Sequence, residues 1–262
     1  MSHAAILGRS PRWRRSVVAS AEVTYLRANL TGGDSAMPAL YSAYDPTTVT
    51  SSGGVASKWT DARGSGSYGP DLTSTGTKRP GWDGSVFTFD GVDDVLYSSA
   101  ISSVFDLSSA VTMAIICAPL QTAAGGYIAA IAESASTVRF MALFQNLGAA
   151  GTLATETVGS TLDKFATSTA TVTTTRRLIV STKNATTTLA IEVPNSAQVS
   201  NATGGVIPSG NNALTLGAYW NTSPSPSKPV LRAVLLLNRV ATAGDLTTIK
   251  SWAQTYHTAV LI

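Results

Sequence analysis

Hydrolysis of a glycosidic bond takes two carboxylates flanking that bond, and on a strand they would stand at alternate positions. The glutamates of this sequence are Glu22, Glu133, Glu156 and Glu192, and none has a carboxylate two or four residues away. Glu192 lies between Ile191 and Val193, so on a strand it faces away from their side, toward solvent. His3 and His257 pair in sequence with no Ser or Cys nucleophile, and zinc-ligand spacing is absent. Cys117 is the sole cysteine, which excludes an intrachain disulfide. It sits in the apolar run Val111 to Cys117 and is expected to be a small buried hydrophobe. Gly53-Gly54, Gly125-Gly126 and Gly204-Gly205 are turn glycines, not a phosphate loop. On these grounds the chain is expected not to be an enzyme.

Binding chemistry is better represented. Sugar recognition needs aromatic faces to stack on rings and amide or carboxylate groups for hydroxyls. Tyr219, Trp220 and Asn221, at the start of a long loop, form one such set, and Trp82 with Asp83 forms another. The competing role for each is core or loop packing. Asp90, Asp93 and Asp94 crowd three carboxylates into one turn. A calcium ion would use such oxygens but needs more of them, so the preferred role for Asp90 and Asp93 is to cap the turn through backbone amides. Arg9, Arg12, Trp13, Arg14 and Arg15 cluster near the N-terminus. They suit either a basic arm gripping an acidic partner surface or a solvated terminus. Asn29, Asn184, Asn201 and Asn221 each open an N-x-Ser/Thr triplet, expected by chance in so Thr-rich a chain.

The elements that would position these residues are mostly strands. The chain has 262 residues, 44% hydrophobic and only 13% charged, against roughly 25% charged in a typical soluble domain. Such a charge-poor chain suits a rigid module in a larger assembly. The net charge of +3 is too weak to argue for nucleic acid. The apolar stretch after the basic N-terminus is interrupted by Glu22 and Arg27, so it is not read as a secretory signal, and no run approaches a membrane helix. Residues 1–38 read as an arm, with 16–30 either strand or marginal helix. From Ala39 onward about ten short strands follow at close spacing. Residues 45–85 form a long connection in which Trp59 and Leu72 would anchor packing while Asp61 and Asp71 bond nearby amides. Lys183-Asn-Ala-Thr186 marks a hairpin. At the end, Leu246, Ile249, Trp252, Ala253 and Tyr256 recur at helical spacing behind a Thr242/Asp245 capping box. The expected fold is all-β: a two-sheet antiparallel jelly-roll sandwich over 39–262, with a short C-terminal helix and an N-terminal arm.

Three stretches resemble the concanavalin A-like lectin/glucanase superfamily in its laminin-G-like branch. They are Trp59-Thr-Asp-Ala-Arg-Gly-Ser-Gly through Asp71-Leu-Thr and Arg79-Pro, then Phe89-Asp-Gly-Val-Asp-Asp-Val-Leu96, then Leu237-Asn-Arg-Val-Ala-Thr-Ala-Gly-Asp-Leu246. The last departs slightly at Val240 and at Asp245-Leu246, and the glucanase signature E-x-D-x-x-E is absent. The resemblance implies a sandwich used for glycan binding or as a virion surface module of tailed phages, and related sandwiches bind calcium near loop rims. The leading expectation is a structural protein of a tailed-phage virion, made in the bacterial host cytoplasm. It would be a capsid decoration, spike or fibre module, docked to other virion proteins by residues 1–38 and oligomeric through virion symmetry. The alternative is a lectin-like adhesin reading host surface glycans; a polysaccharide depolymerase ranks below both.

Overall fold

The computed structural model describes residues 21–63, 69–98, 101, 110–120, 126–133, 139–145, 152–158, 163–171, 175–184, 188–193, 197–202, 212–218 and 228–259. Helix α1 (Ala21–Asn29) comes first. Val23, Leu26 and Leu30 share its buried face. It stops at Gly32, whose φ of 82° is the left-handed conformation that closes helix C-termini.

Strands β1 (Ala39–Ser42), β2 (Val49–Ser52), β3 (Val55–Trp59), β4 (Leu72–Thr73), β5 (Gly81–Trp82), β6 (Phe87–Thr88) and β7 (Leu96–Ser98) are short. The strands after them are mostly longer: β8 (Val111–Leu120), β9 (Gly126–Glu133), β10 (Arg139–Gln145), β11 (Thr152–Val158) and β12 (Asp163–Thr171). They continue as β13 (Arg177–Asn184), β14 (Thr188–Glu192), β15 (Val199–Ala202), β16 (Asn212–Leu216) and β17 (Lys228–Leu237). Helix α2 (Ala243–His257) follows β17. Among the described residues no helix is long and apolar enough to cross a membrane.

Every strand pairing is antiparallel. One ladder runs β15–β14–β13–β8–β17–β1. A second runs β7–β16–β9–β10–β11–β12. The short strands stitch the two together along one side, from β17 through β6, β5, β3 and β4 to β7. The all-β architecture with a C-terminal helix is thus as expected. The seventeen strands among the described residues, however, form one continuous hydrogen-bonded system instead of two separate sheets. The bridge is built from strands two to five residues long, β3 to β7, in and just after the long connection.

Side-chain alternation divides the interior. Val111, Met113, Ile115 and Cys117 of β8 point into the main core, together with Ile179, Val234, Leu143 and Leu214 from both ladders. Ala114 and Ile116 point the opposite way, into a second core with Leu178, Val180, Ala233 and Leu235. That outer face is covered by α1 and α2 through Val23, Leu26, Ile249 and Trp252. Strands β8, β13 and β17 are therefore apolar on both faces, as strands covered on both sides must be. Residues 21–37, expected to belong to the arm, contribute fully buried Val23, Leu26 and Met37 to this core.

The start of α2 is held as its sequence requires. The Asp245 amide donates to Thr242 Oγ1 at 3.2 Å, and the Thr242 amide donates to Asp245 Oδ2 at 2.8 Å. Arg239 adds a two-pronged ion pair to the same carboxylate, and the Thr31 amide donates to Asp245 Oδ1 at 3.1 Å, tying the turn after α1 to the head of α2. In the long connection, Trp59 and Leu72 are fully buried. Asp61 accepts from the amides of Leu40, Arg63 and Gly69 and forms a buried ion pair with Arg63 at 2.7 Å. Asp71 instead pairs with Lys58 at 2.5 Å.

Candidate functional site

Three chain segments converge beside the β5–β6 hairpin. At its tip, Asp83 Oδ1 accepts from the amides of Ser85 (2.8 Å) and Val86 (2.9 Å) and from the Ser85 hydroxyl (3.0 Å). This side-chain-closed turn fixes Trp82 and Asp83 together. The indole of Trp82 is half-buried on the core, and its Nε1 donates to the carbonyl of Ala43 at 3.1 Å. That bond brings in the turn after β1, where Tyr44 is 58% exposed. The Ala43 amide donates to the carbonyl of Arg232 at 2.8 Å, and the Arg232 guanidinium carbon sits 4.8 Å from the centre of the Tyr44 ring. Tyr44 thus has one face on a cation and the remainder in solvent.

Beneath this surface lies a buried polar chain. Arg232 is only 8% exposed, and its Nε donates to His257 Nδ1 at 3.3 Å. An acceptor at Nδ1 places the ring proton on Nε2, which donates to Glu22 Oε2 at 2.8 Å. Trp252 Nε1 donates to the same oxygen at 3.1 Å. Burial alone would raise the Glu22 carboxyl, but the interactions with His257 and Trp252 outweigh it and hold the pKa below its ordinary value. Arg176 closes the group, its Nη1 donating to the His257 carbonyl and the Thr258 hydroxyl, both at 3.0 Å.

The acidic turn lies elsewhere, between β6 and β7. Asp90 Oδ1 accepts from the amides of Val92 (2.7 Å), Asp93 (3.3 Å) and Asp94 (3.4 Å), so Asp90 caps the turn as expected. Asp93 does not; its carboxylate accepts from the Thr77 hydroxyl at 2.7 Å. Asp94 Oδ2 accepts from the Asp90 amide at 2.7 Å. One carboxylate oxygen from each of the three lies within 4.8 Å of the others. Burial pushes Asp94 up to about 6, with the charges of Asp90 and Asp93 adding to the shift. Three oxygens in this arrangement would fill about half of a calcium coordination shell.

Of the residues singled out from sequence, Trp82 and Asp83 are brought together with two that were missed, Tyr44 and Arg232. Tyr44 carried no signal beyond ending the first strand. Arg232 carried one, as the lone charge inside the apolar run Val230 to Leu237. Tyr219, Trp220 and Asn221, and the cluster Arg9, Arg12, Trp13, Arg14 and Arg15, lie outside the described residues. Glu192, expected to face solvent, pairs with Lys250 of α2 at 2.6 Å. Cys117 is fully buried, and burial pushes its thiol up to about 12, as befits a packed hydrophobe.

No protein-family model matches the sequence, and no curated protein does. Solved structures do match. A Trypanosoma rangeli sialidase in complex with 2,3-difluorosialic acid is similar at 12% identity and a TM-score of 0.61, over 94% of this chain and 39% of the sialidase. Another Trypanosoma rangeli sialidase structure is similar at 11% identity and a TM-score of 0.60, over 91% of this chain and 38% of the other. A NanB sialidase mutant from Streptococcus pneumoniae matches over 62% of this chain and 27% of its own, at 11% identity and a TM-score of 0.50. The chain spans about two fifths of the length of the Trypanosoma sialidases, and the likeness concerns the fold.

These structures correct one expectation. The chain was expected not to be an enzyme because its sequence shows no carboxylate pair, no nucleophile–histidine pairing, no zinc-ligand spacing and no phosphate loop, yet the solved structures sharing its fold are sialidases, which are enzymes.

Proposed function

We propose that this chain is a glycan-recognising surface module, with its two ladders forming the layers of a concanavalin A-like jelly roll. The observation that carries the reading is the exposed Tyr44 ring, backed by Arg232 and flanked by Trp82 and Asp83. A sugar ring stacks on an aromatic face whose far side is already held, because less side-chain freedom is lost on binding. Asp83 and the Tyr44 hydroxyl supply polar groups at its edge. The likeness to sialidases, proteins that act on a carbohydrate, supports this direction at the level of fold.

The setting we propose is the surface of a tailed-phage virion, where the module would serve as an adhesin for host glycans. The three sequence stretches that resemble phage-encoded laminin-G-like proteins support it, as does the charge-poor composition. Arg9, Arg12, Trp13, Arg14 and Arg15 are proposed to dock the chain onto other virion proteins, and several copies per particle would add avidity. The second reading is a capsid decoration or spike, favoured by the same basic segment. Antibody-gold labelling of particles separates them: label at the tail tip supports the adhesin, and label over the head supports the decoration.

Affinity electrophoresis through gels loaded with host polysaccharide tests the binding reading. The chain is expected to be retarded, and Tyr44→Ala is expected to migrate freely while keeping its melting temperature. Retardation unchanged by Tyr44→Ala would overturn this site.

A further inference from the structure

We propose that His257 is a proton-operated positioning residue for the Tyr44 surface: its neutral ring holds Arg232 behind Tyr44, and its protonation releases Arg232 and weakens recognition there. This inference rests on the glycan-recognition reading and adds a regulation to that site. The His257 side chain is 1% exposed and links α1, α2 and β17 to the patch. Its Nδ1 accepts from Arg232 Nε at 3.3 Å, and its Nε2 faces Glu22 Oε2 of α1 at 2.8 Å. The Arg232 guanidinium in turn lies 4.8 Å from the centre of the exposed Tyr44 ring.

Protonation puts an N–H on Nδ1, where it meets the N–H of Arg232 Nε, donor against donor. It also adds a positive charge beside two others, Arg232 and Arg176, whose Nη1 donates to the His257 carbonyl at 3.0 Å. Burial, with Arg176 next, already holds the Arg232 guanidinium below its ordinary value, so this spot tolerates another cation poorly. Two features favour the imidazolium: the Glu22 carboxylate, and the carbonyl end of α2, which His257 terminates. The charged ring therefore stays on Glu22, and Arg232 is the partner that yields. Trp252, which donates to the same Glu22 oxygen at 3.1 Å, is uncharged. Among the described residues, the other groups acting on Arg232 are Tyr44, Glu22 and Asp83, all through space. A Tyr44 ring that loses the cation behind it gains freedom that binding a ligand must then remove.

The test is a magnetic-resonance titration of the full chain, labelled in its histidine rings and tyrosine rings, from about pH 8 to about pH 5, the span over which imidazoles ordinarily titrate. The sequence has two histidines, so the His257 signals are assigned by their loss in His257→Gln, and those of Tyr44 by their loss in Tyr44→Ala. At the upper end the His257 proton is expected on Nε2, and the Tyr44 ring signals are expected to move with the same midpoint as His257 ionises. His257→Gln keeps an acceptor and a donor but takes up no proton, so its Tyr44 signals should stay flat. Glu22→Gln removes the counter-charge of the imidazolium and should lower the midpoint by about one pH unit or more. Across the same span, retention on host polysaccharide is expected to weaken about threefold in the unaltered chain and to stay constant in His257→Gln. Asp94, pushed up to about 6, titrates in this span too, but it remains in His257→Gln. Tyr44 signals that stay still while His257 ionises, that move equally in His257→Gln, or a His257 ring that keeps one charge state throughout, would each overturn the inference and leave the glycan reading intact. The titration of unaltered protein needs no ligand and stands even if a variant misfolds. Failure to bind any glycan at any pH would remove the glycan reading and, with it, the regulation proposed here.

Discussion

At the scale of single residues, the sequence ranked chemistry by neighbours along the chain, and that worked where the partners are local. Asp90 caps its own turn, Thr242 and Asp245 bond each other, and Cys117 packs as a hydrophobe. The contact of Tyr44 with Arg232 was invisible because 188 positions separate them and only the β1–β17 pairing makes them neighbours. Two predictions belong here. Asp94 titrates near 6 when folded and near 3.8 when unfolded, so its charge opposes folding at neutral pH. As pH falls from 7 through 6, the folded chain takes up that proton and the unfolded chain does not; this group's contribution to stability therefore rises until about pH 4. Asp94→Asn keeps an acceptor for the Asp90 amide and should stabilise the chain by about 1 kcal/mol at pH 7 and by nothing at pH 4, read by urea unfolding at both. Gly217 has a φ of 85°, and a Cβ there would sit 2.3 Å from the Phe89 ring. Gly217→Ala should cost about 2–3 kcal/mol through both strain and overlap, measured as a lower melting temperature.

Among the elements, α2 was fully legible, because its capping box and apolar stripe are local patterns. The first helix was not. Val23, Leu26 and Leu30 have helical spacing, but its stability comes from packing on α2 and from the Glu22 bonds to Trp252 and His257, more than 200 residues away. The continuous strand system was hidden for a similar reason: β4, β5 and β6 are two residues long, too short for any alternation to show. The two helices together should behave as a clamp. Glu22 titrates below its ordinary value, so its bonds contribute stability above about pH 4.5 and lose it as pH falls through the folded value, opposite in sign to Asp94. Removing the Asp245 carboxylate by Asp245→Ala should lower stability by about 2–4 kcal/mol, since it strips the cap of α2, the Arg239 pair and the tether to Thr31. Hydrogen exchange should then show α1 and α2 opening together while β8 and β17 stay protected; protection of α1 unchanged in the variant would refute the clamp.

For the whole molecule, two ladders stitched along one side and clamped by helices on the outside make a rigid support for a small surface patch. All-β class, strand-rich length and terminal helix could be read from alternation and turn residues, whereas the joining of ladders depends on long-range pairing. The candidate patch is assembled at the side where β1, the β5–β6 turn and β17 meet. That placement explains why only its Trp82–Asp83 half could be seen in sequence. The expectation that the chain is not an enzyme likewise rested on residue spacing along the chain, and the likeness of its fold to sialidases overturns it. The most direct measurement of the central claim is a glycan array probed with the labelled chain and with Tyr44→Ala in parallel. Binding to a defined set of glycans, lost in the folded variant, is the predicted result; glycan binding of equal strength in both proteins would contradict it.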